Sequence, residues 1–290
     1  MIIFVKIYKS MEKINWIVEK NLFPEYEEKL VHIIKESGMN CYFFDDSDYD
    51  FDLIKKLKAK YTDKDPVIFY GSLNNGQKIM KQTNLNPGVY LTVNNYECFN
   101  YYGHFGNELM NESYMMLGLN DLYRLKDRII KKFKTKFFIR PSNGYKTFPG
   151  QLIDCEEFDR DYYNLIQSYG GLDMSQLIVL SPYKNITNES RFAVIDGEIV
   201  DGCIYMIDGD KITERLFDGL AFDYVNKIKH LYRPDDAFTL DIAFNERTKK
   251  YKVLEINSLC CAGLYQMDLE KIVNAMNRMV EKTYNDYWGI

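Results

Sequence analysis

The first hundred residues alternate between short apolar runs and amphipathic stretches. IIFVKIY (2–8) is apolar, short and interrupted by Lys6, so it reads as a strand and not as a leader or a membrane span. EYEEKLVHIIKES (25–37) has apolar positions at 30, 33 and 34, the spacing of one helix face, and Gly38 ends it. NCYFF (40–44), PVIFYGS (66–72) and PGVYLTV (87–93) read as further strands, and FDLIKKLKAKY (51–61) as an amphipathic helix. Strand–helix–strand order predicts a small α/β domain with a parallel, Rossmann-like sheet, ending near residue 100.

After a mainly helical stretch over 107–133, the pattern changes to strands joined by polar turns. These are KFFIR (136–140), GQLI (150–153), QLIVLS (176–181), SRFAVI (190–195), EIVDGCIYMI (198–207), FTLDIAF (238–244) and YKVLEIN (251–257). Asp196-Gly197 suits a type I′ hairpin turn, which needs positive φ at both central residues. Helices are expected at 219–232 and 268–284. The second part, 101–290, is therefore α+β and largely antiparallel.

The last strand carries polar residues where a core would be apolar. In YKVLEINS (251–258), strict alternation puts Val253, Glu255 and Asn257 on one face and Leu254 and Ile256 on the other. A five-residue loop over 246–250 would set Asp241 opposite Glu255. Like charges directly opposite destabilise a sheet. A cation over that face would resolve the conflict, and magnesium, which takes oxygen ligands, suits it with Asn257 as a further oxygen donor. Strand residues that simply face solvent, or that pair with Lys or Arg, would resolve it too.

Two other stretches carry candidate chemistry. FFIRPSNGYKTFPG (137–150) is a strand, a glycine loop holding Lys146, and a returning strand; glycines let amides approach phosphate, although a plain hairpin loop has the same look. LSPYKNITNESRFAVIDGEIV (180–200) runs from a buried strand through Ser181-Pro182-Tyr183-Lys184 to Glu189 and Arg191, which share a face or form a surface ion pair. GSLNNGQK (71–78) has the glycine spacing of a phosphate loop but no Lys-Ser/Thr, so it reads as the turn after a strand.

Charge and composition narrow the function. The net charge of −5 argues against a nucleic-acid partner, and the basic run at 124–136 reads as a solvated helix face or as cations facing a polyphosphate. Six cysteines without CxxC spacing and three histidines argue against zinc and fit a reducing, cytoplasmic setting. No apolar run is long enough to span a membrane.

The order of these pieces resembles the ATP-grasp superfamily. FIRP…GYKTFPG, SPYKNI..ESRF.V and DIAF…VLEIN look most like its clade named for one arginine and two lysines, here Arg140, Lys146 and Lys184. The resemblance implies an ATP-grasp domain over 101–290, with a central subdomain to about 180 and a C-terminal one after it, preceded by the small domain at 1–100. It implies ATP between two α+β lobes, with adenine near Ser181, Tyr183 and Lys184 and with Glu189 near the ribose or the neighbouring hinge. Arg140 and Lys146 would contact phosphate, Arg191 would reach toward the transferred phosphoryl group or the acyl intermediate, and Asp241, Glu255 and Asn257 would hold Mg2+. Lys126 or Lys136, and Lys211 or Arg215, would be further phosphate contacts. The implied reaction joins a carboxylate to an amine through an acyl-phosphate, on small-molecule or peptide substrates. A phosphotransferase on the same fold, and a non-catalytic nucleotide-binding module, are the alternatives.

Overall fold

The computed structural model describes residues 13–47 and 52–288. The strand expected at 2–8 lies outside them. Two compact units are present, one formed by 1–89 with 269–290 and the other by 90–268. The helix expected at 268–284 as part of the second domain thus belongs with the first unit. No helix among the described residues is long and apolar enough to cross a membrane.

The first unit alternates strand and helix: β1 (Asn15–Glu19), α1 (Glu27–Glu36), β2 (Asn40–Phe44), α2 (Leu53–Lys60), β3 (Pro66–Tyr70), α3 (Leu73–Gln82) and β4 (Asn86–Gly88). The sheet order is β2-β1-β3-β4 and every pairing is parallel. β1 and β3 are buried along their whole length, as central strands covered on both faces must be. β1 itself, NWIVE, is not evident from sequence, because Asn15 and Glu19 frame only three apolar residues. Its Trp16 Nε1 donates to Asn277 Oδ1 at 2.9 Å, which ties the terminal helix (Leu269–Trp288) to the sheet. The GSLNNGQK stretch is the turn after β3 and the start of α3. Ser72 caps that helix by accepting from the Asn75 amide, and the Glu19 carboxylate accepts from the Ser72 amide at 2.7 Å. A carboxylate already sits where a phosphate loop would need its anion.

The second unit opens with α4 (Cys98–Phe105), β5 (Met115–Gly118), α5 (Leu119–Arg124) and α6 (Lys126–Phe133). The stretch read as mainly helical thus hides a strand, MMLG. A four-residue apolar run has no periodicity that separates strand from helix. β6 (Lys136–Pro141), β7 (Gln151–Asp154), α7 (Phe158–Ser168) and β8 (Leu177–Pro182) follow, and the antiparallel order is β5-β8-β6-β7. β6 alternates cleanly: Phe137 and Ile139 enter a core with Phe158, Ile178 and Leu180, which leaves Lys136, Phe138 and Arg140 on the other face.

The remaining strands are β9 (Ile186–Ile195), β10 (Glu198–Ile207), β11 (Glu214–Arg215), β12 (Ala237–Asn245) and β13 (Lys250–Ser258), with α8 (Gly219–Ile228) before β12. They form a second antiparallel sheet in the order β11-β10-β9-β12-β13. Asp196 (φ 49°) and Gly197 (φ 79°) make the turn between β9 and β10. In the last hairpin, Asn245 pairs with Lys250, so the loop has four residues and not five. Asp241 nonetheless pairs with Glu255, because the register shifts between Asp241 and Ile242 and leaves Leu254 as an extra residue on β13. The bulge also breaks the expected alternation. Val253 is fully buried, while Leu254 and Glu255 line one cavity together.

An added Cβ at Gly197 would meet nothing closer than an Arg233 nitrogen at 3.5 Å, so only the backbone conformation opposes a side chain there. Gly197→Ala is expected to cost about 1–2 kcal/mol, the cost of the left-handed conformation for an L residue. Urea unfolding should show this as a lower midpoint with an unchanged slope.

Candidate active site

Three neighbouring strands place Arg191, Asp241 and Glu255 in one row across the sheet: Arg191 lies opposite Asp241, and Asp241 opposite Glu255. Asp241 has no exposed surface and the Arg191 side chain is 8% exposed. A carboxylate so placed must be paired. Arg191 Nε donates to Asp241 Oδ1 at 2.8 Å and Nη2 to Oδ2 at 2.7 Å, a bidentate fork. Nη1 donates to the Gly263 carbonyl at 3.2 Å.

Glu255 is held from the other sheet. Arg140 Nη2, from β6, lies 2.8 Å from Oε2, and Lys146 Nζ, from the glycine loop, lies 3.2 Å from Oε1. Asn257 Nδ2 bridges the two carboxylates, donating to Asp241 Oδ2 at 3.3 Å and to Glu255 Oε1 at 3.1 Å. The like charges in register are therefore compensated by Arg140, Lys146 and Arg191. Pairing with Lys and Arg, one of the resolutions open from sequence, is present.

The two carboxyls are pushed in opposite directions. Burial raises Glu255, but Lys146 and Arg140 outweigh it and hold the group well below the usual carboxylate range. Complete burial raises Asp241 above its ordinary value, with the Arg191 fork opposing. Burial also works against the Arg191 charge, and the Asp241 carboxylate outweighs it, so the guanidinium stays charged. Glu189 is raised by burial against the hydrogen bond from Tyr205, whose hydroxyl lies 2.5 Å from Oε2.

Part of this cluster lines a cavity of about 410 Å³, within the range of small-molecule sites, while Asp241, Arg191, Lys146 and Asn257 lie outside its lining. Its apolar surface comes from Phe138, Leu152, Ile186 and Leu254. Arg140, Glu189 and Glu255 line it, as do Tyr183 and Lys184 from the segment after β8. Burial lowers the Lys184 ammonium from its ordinary value. Ser181 is placed differently from expectation: it lies opposite Phe138 in the register, is fully buried and does not line the cavity. Gly150 lets the tip of the Phe138 ring approach the backbone closely, since a Cβ there would meet its Cζ at 2.3 Å.

The Lys146 loop is pinned on both sides of the lysine. Gln176 Oε1 accepts from Asn143 Nδ2 at 2.9 Å and from Thr147 Oγ1 at 2.6 Å, and Phe148 is buried. Lys146 itself has φ 51°, a left-handed conformation, with its side chain 45% exposed. Of the further lysines, Lys136 shares the face of Phe138 and Arg140 and lies 3.8 Å from the Tyr183 ring centroid. Lys126 instead pairs with Asp159 at 2.7 Å. Lys211 lies 5.6 Å from the Tyr265 ring, and Arg215 is on the exposed edge strand β11.

The sequence pattern misses Tyr205 and Tyr265. Their rings stack at 5.7 Å and 9°, with the Arg191 guanidinium 5.0 and 5.4 Å from their centroids. Counting back from the Asp196-Gly197 turn does not find Tyr205 beside Glu189, because β10 carries two register shifts.

Asp241, Glu255 and Asn257 offer only oxygen-bearing groups on adjacent strands, a donor set that suits a hard divalent cation. No cluster of three or more His, Cys, Asp or Glu side chains that could hold a metal occurs among the described residues. Magnesium needs no such cluster, since it takes one or two carboxylates with phosphate oxygens and waters. The Asn257 amide would have to turn over to present its oxygen.

The sequence pattern of the ATP-grasp domain, family 2 of the clade named for one arginine and two lysines, matches residues 120–275, more than half of the chain, and the protein belongs to that family. D-alanine–D-alanine ligase from Bacillus anthracis, solved with ATP, has a similar fold: TM-score 0.65 at 11% identity, covering 96% of this chain and 100% of the ligase. D-cycloserine synthetase DcsG gives a TM-score of 0.62 at 12% identity over 92% of this chain and 99% of its own. The ATP-grasp ligase PsnB, solved with a minimal precursor, gives 0.58 at 10% identity over 93% and 100%. No curated protein sequence matches at a significant level.

Breaking the buried fork should be costly. Asp241→Asn leaves Arg191 charged and incompletely paired and is expected to lose about 3–5 kcal/mol in urea unfolding. Glu246→Gln, which breaks the exposed pair with Lys249, should change stability by less than about 1 kcal/mol.

The Glu255 pairing also sets a pH dependence. Because its folded-state value is depressed, its stabilisation is complete above the unfolded carboxylate value of about 4.3 and is lost as pH falls through the folded value. Calorimetric melting should find Glu255→Gln less stable than the wild type at neutral pH, with a gap that narrows in acid below that value. A gap independent of pH would rule out an electrostatic origin.

Proposed function

We propose that the protein is an ATP- and magnesium-dependent carboxylate–amine ligase. The observation that carries this reading is the row of Asp241 and Glu255, compensated by three cations, of which Glu255 and Arg140 line a cavity of small-molecule size. Phosphoryl transfer asks a protein for positioning and charge neutralisation more than for a covalent side chain.

The nucleoside would lie against Phe138, Leu152, Ile186 and Leu254, with Tyr183 and Lys184 at its base and Glu189 toward the ribose. Arg140 and Lys146, which now compensate Glu255, would turn to the phosphates. Asp241, Glu255 and Asn257 would hold magnesium, which supplies charge neutralisation between the phosphate oxygens. A substrate carboxylate oxygen then takes the γ-phosphoryl group as the bond to the β-phosphate oxygen breaks, giving an acyl-phosphate and ADP. An amine attacks the acyl carbon, phosphate leaves, and the amine's proton goes to solvent or phosphate. Small-molecule and peptide carboxylates are both within reach of such a site. The ligases of similar fold named above support that range, and six cysteines present as thiols support a reducing, cytoplasmic setting.

A phosphotransferase would share the nucleotide site, so the product decides. ADP release is expected to require both a carboxylate and an amine, with an amide detected by mass spectrometry. Turnover stimulated by hydroxyl compounds alone, with a stable phosphorylated product, would overturn the ligase reading.

A further inference from the structure

Arg140, Lys146 and Arg191 surround the same two carboxylates, but they are held very differently. Lys146 is 45% exposed and Arg140 14%, and each makes one ion pair to Glu255, which is itself 19% exposed. Arg191 is 8% exposed and its partner Asp241 wholly buried. Three N–H groups of Arg191 are engaged, two by the Asp241 fork and one by the Gly263 carbonyl. The guanidinium also lies near the faces of two stacked tyrosine rings.

The segment that supplies one of those rings is shaped for the purpose. Tyr265 adopts φ 48°, a conformation that side-chain-bearing residues adopt only where the surroundings enforce it. Its ring folds back over Gly263, where an added Cβ would meet ring atoms at 2.9–3.2 Å. The Arg191 bond to the Gly263 carbonyl, and a weak one from Cys203 Sγ to the Leu264 carbonyl at 3.8 Å, hold the segment against β9 and β10. Tyr205 holds the other side: its ring lies against Arg191 while its hydroxyl donates to Glu189.

We propose that Arg191 is a positioning residue: Tyr205, Tyr265 and the Gly263 carbonyl clamp it so that it fixes Asp241 for the metal, and it does not turn to the transferred phosphoryl group. Arg140 and Lys146 are the exchangeable cations, and Glu255 is the carboxylate they release. This rests on the nucleotide reading above and deepens it, because it assigns the three cations of one site to two separate tasks. Disturbing the clamp therefore weakens metal binding, and removing an exchangeable cation weakens nucleotide binding even without metal.

The test uses the full chain, Mn2+ as the metal probe and a non-hydrolysable ATP analogue, with free Mn2+ read by electron paramagnetic resonance and analogue affinity by calorimetry. Tyr265→Leu is expected to weaken Mn2+ binding in the presence of the analogue by about tenfold, on the scale of a lost cation–π contact. Its metal-free affinity for the analogue should stay within about twofold. Tyr265→Phe keeps the ring and should behave as the wild type. Gly263→Ala, which displaces the same ring by one added carbon, should shift Mn2+ affinity in the same direction and serves if the leucine variant fails to fold. Lys146→Ala should show the opposite split, with the metal-free affinity reduced. Equal loss of metal-free and metal-dependent binding in Tyr265→Leu would overturn the proposal, since Arg191 would then be a nucleotide contact. So would a phenylalanine variant as weak as the leucine one. A wild type that binds the analogue, alongside a leucine variant indistinguishable from it, would sink this proposal alone. A wild type that binds neither probe would sink the nucleotide reading as well.

Discussion

The site depends on one buried ion pair, the fork between Arg191 and Asp241. β12 is a central strand, buried on both faces from Ala237 to Ala243, and a carboxylate in the middle of it cannot reach water. Well-packed apolar side chains could fill such a place with equal or better stability. What the pair supplies is a fixed electrostatic starting point. With Asp241 balanced by Arg191, the charge of the adjoining surface is set by Glu255 and the two cations on it. Within that group, three cations against two carboxylates leave an excess of one positive charge.

The cations on Glu255 come from β6 and from the loop that follows it, and the carboxylates come from the sheet that contains β13. Neither sheet carries a complete site. The alternation of β6 explains how one side is presented: its odd positions, Phe137 and Ile139, belong to the core, so Arg140 projects from the opposite face with Phe138. The other side is presented by the irregularity at Leu254, which turns two consecutive residues toward the same space.

Much of this is legible in the sequence. Arg140, Lys146, Arg191, Asp241, Glu255 and Asn257 stand out there, and the structure brings them together. The cross-strand pairing of Asp241 with Glu255 follows from the sequence for the wrong reason, since a shorter turn and an extra residue in β13 cancel. Local periodicity carries no record of an inserted residue, so the bulge cannot be counted. The aromatic clamp is illegible for a different reason. Tyr205 and Tyr265 sit among apolar neighbours as core residues do, and only the tertiary fold sets their rings beside a guanidinium. β1 and β5 escape because three or four apolar residues fit strand and helix alike. Ser181, a candidate for its place near the segment after β8, lies opposite Phe138 but is fully buried and does not line the cavity.

Gly150 shows how the cavity can be reshaped from outside it. The tip of the Phe138 ring lies close to the glycine backbone, and there is no room between them for even one carbon. Any side chain at 150 would have to shift that ring, which forms part of the cavity wall. Position 150 is thus a steric dial: it sets where one wall of the cavity stands without lining the cavity itself. The shape of this cavity can therefore change through a residue that no inventory of its lining would include.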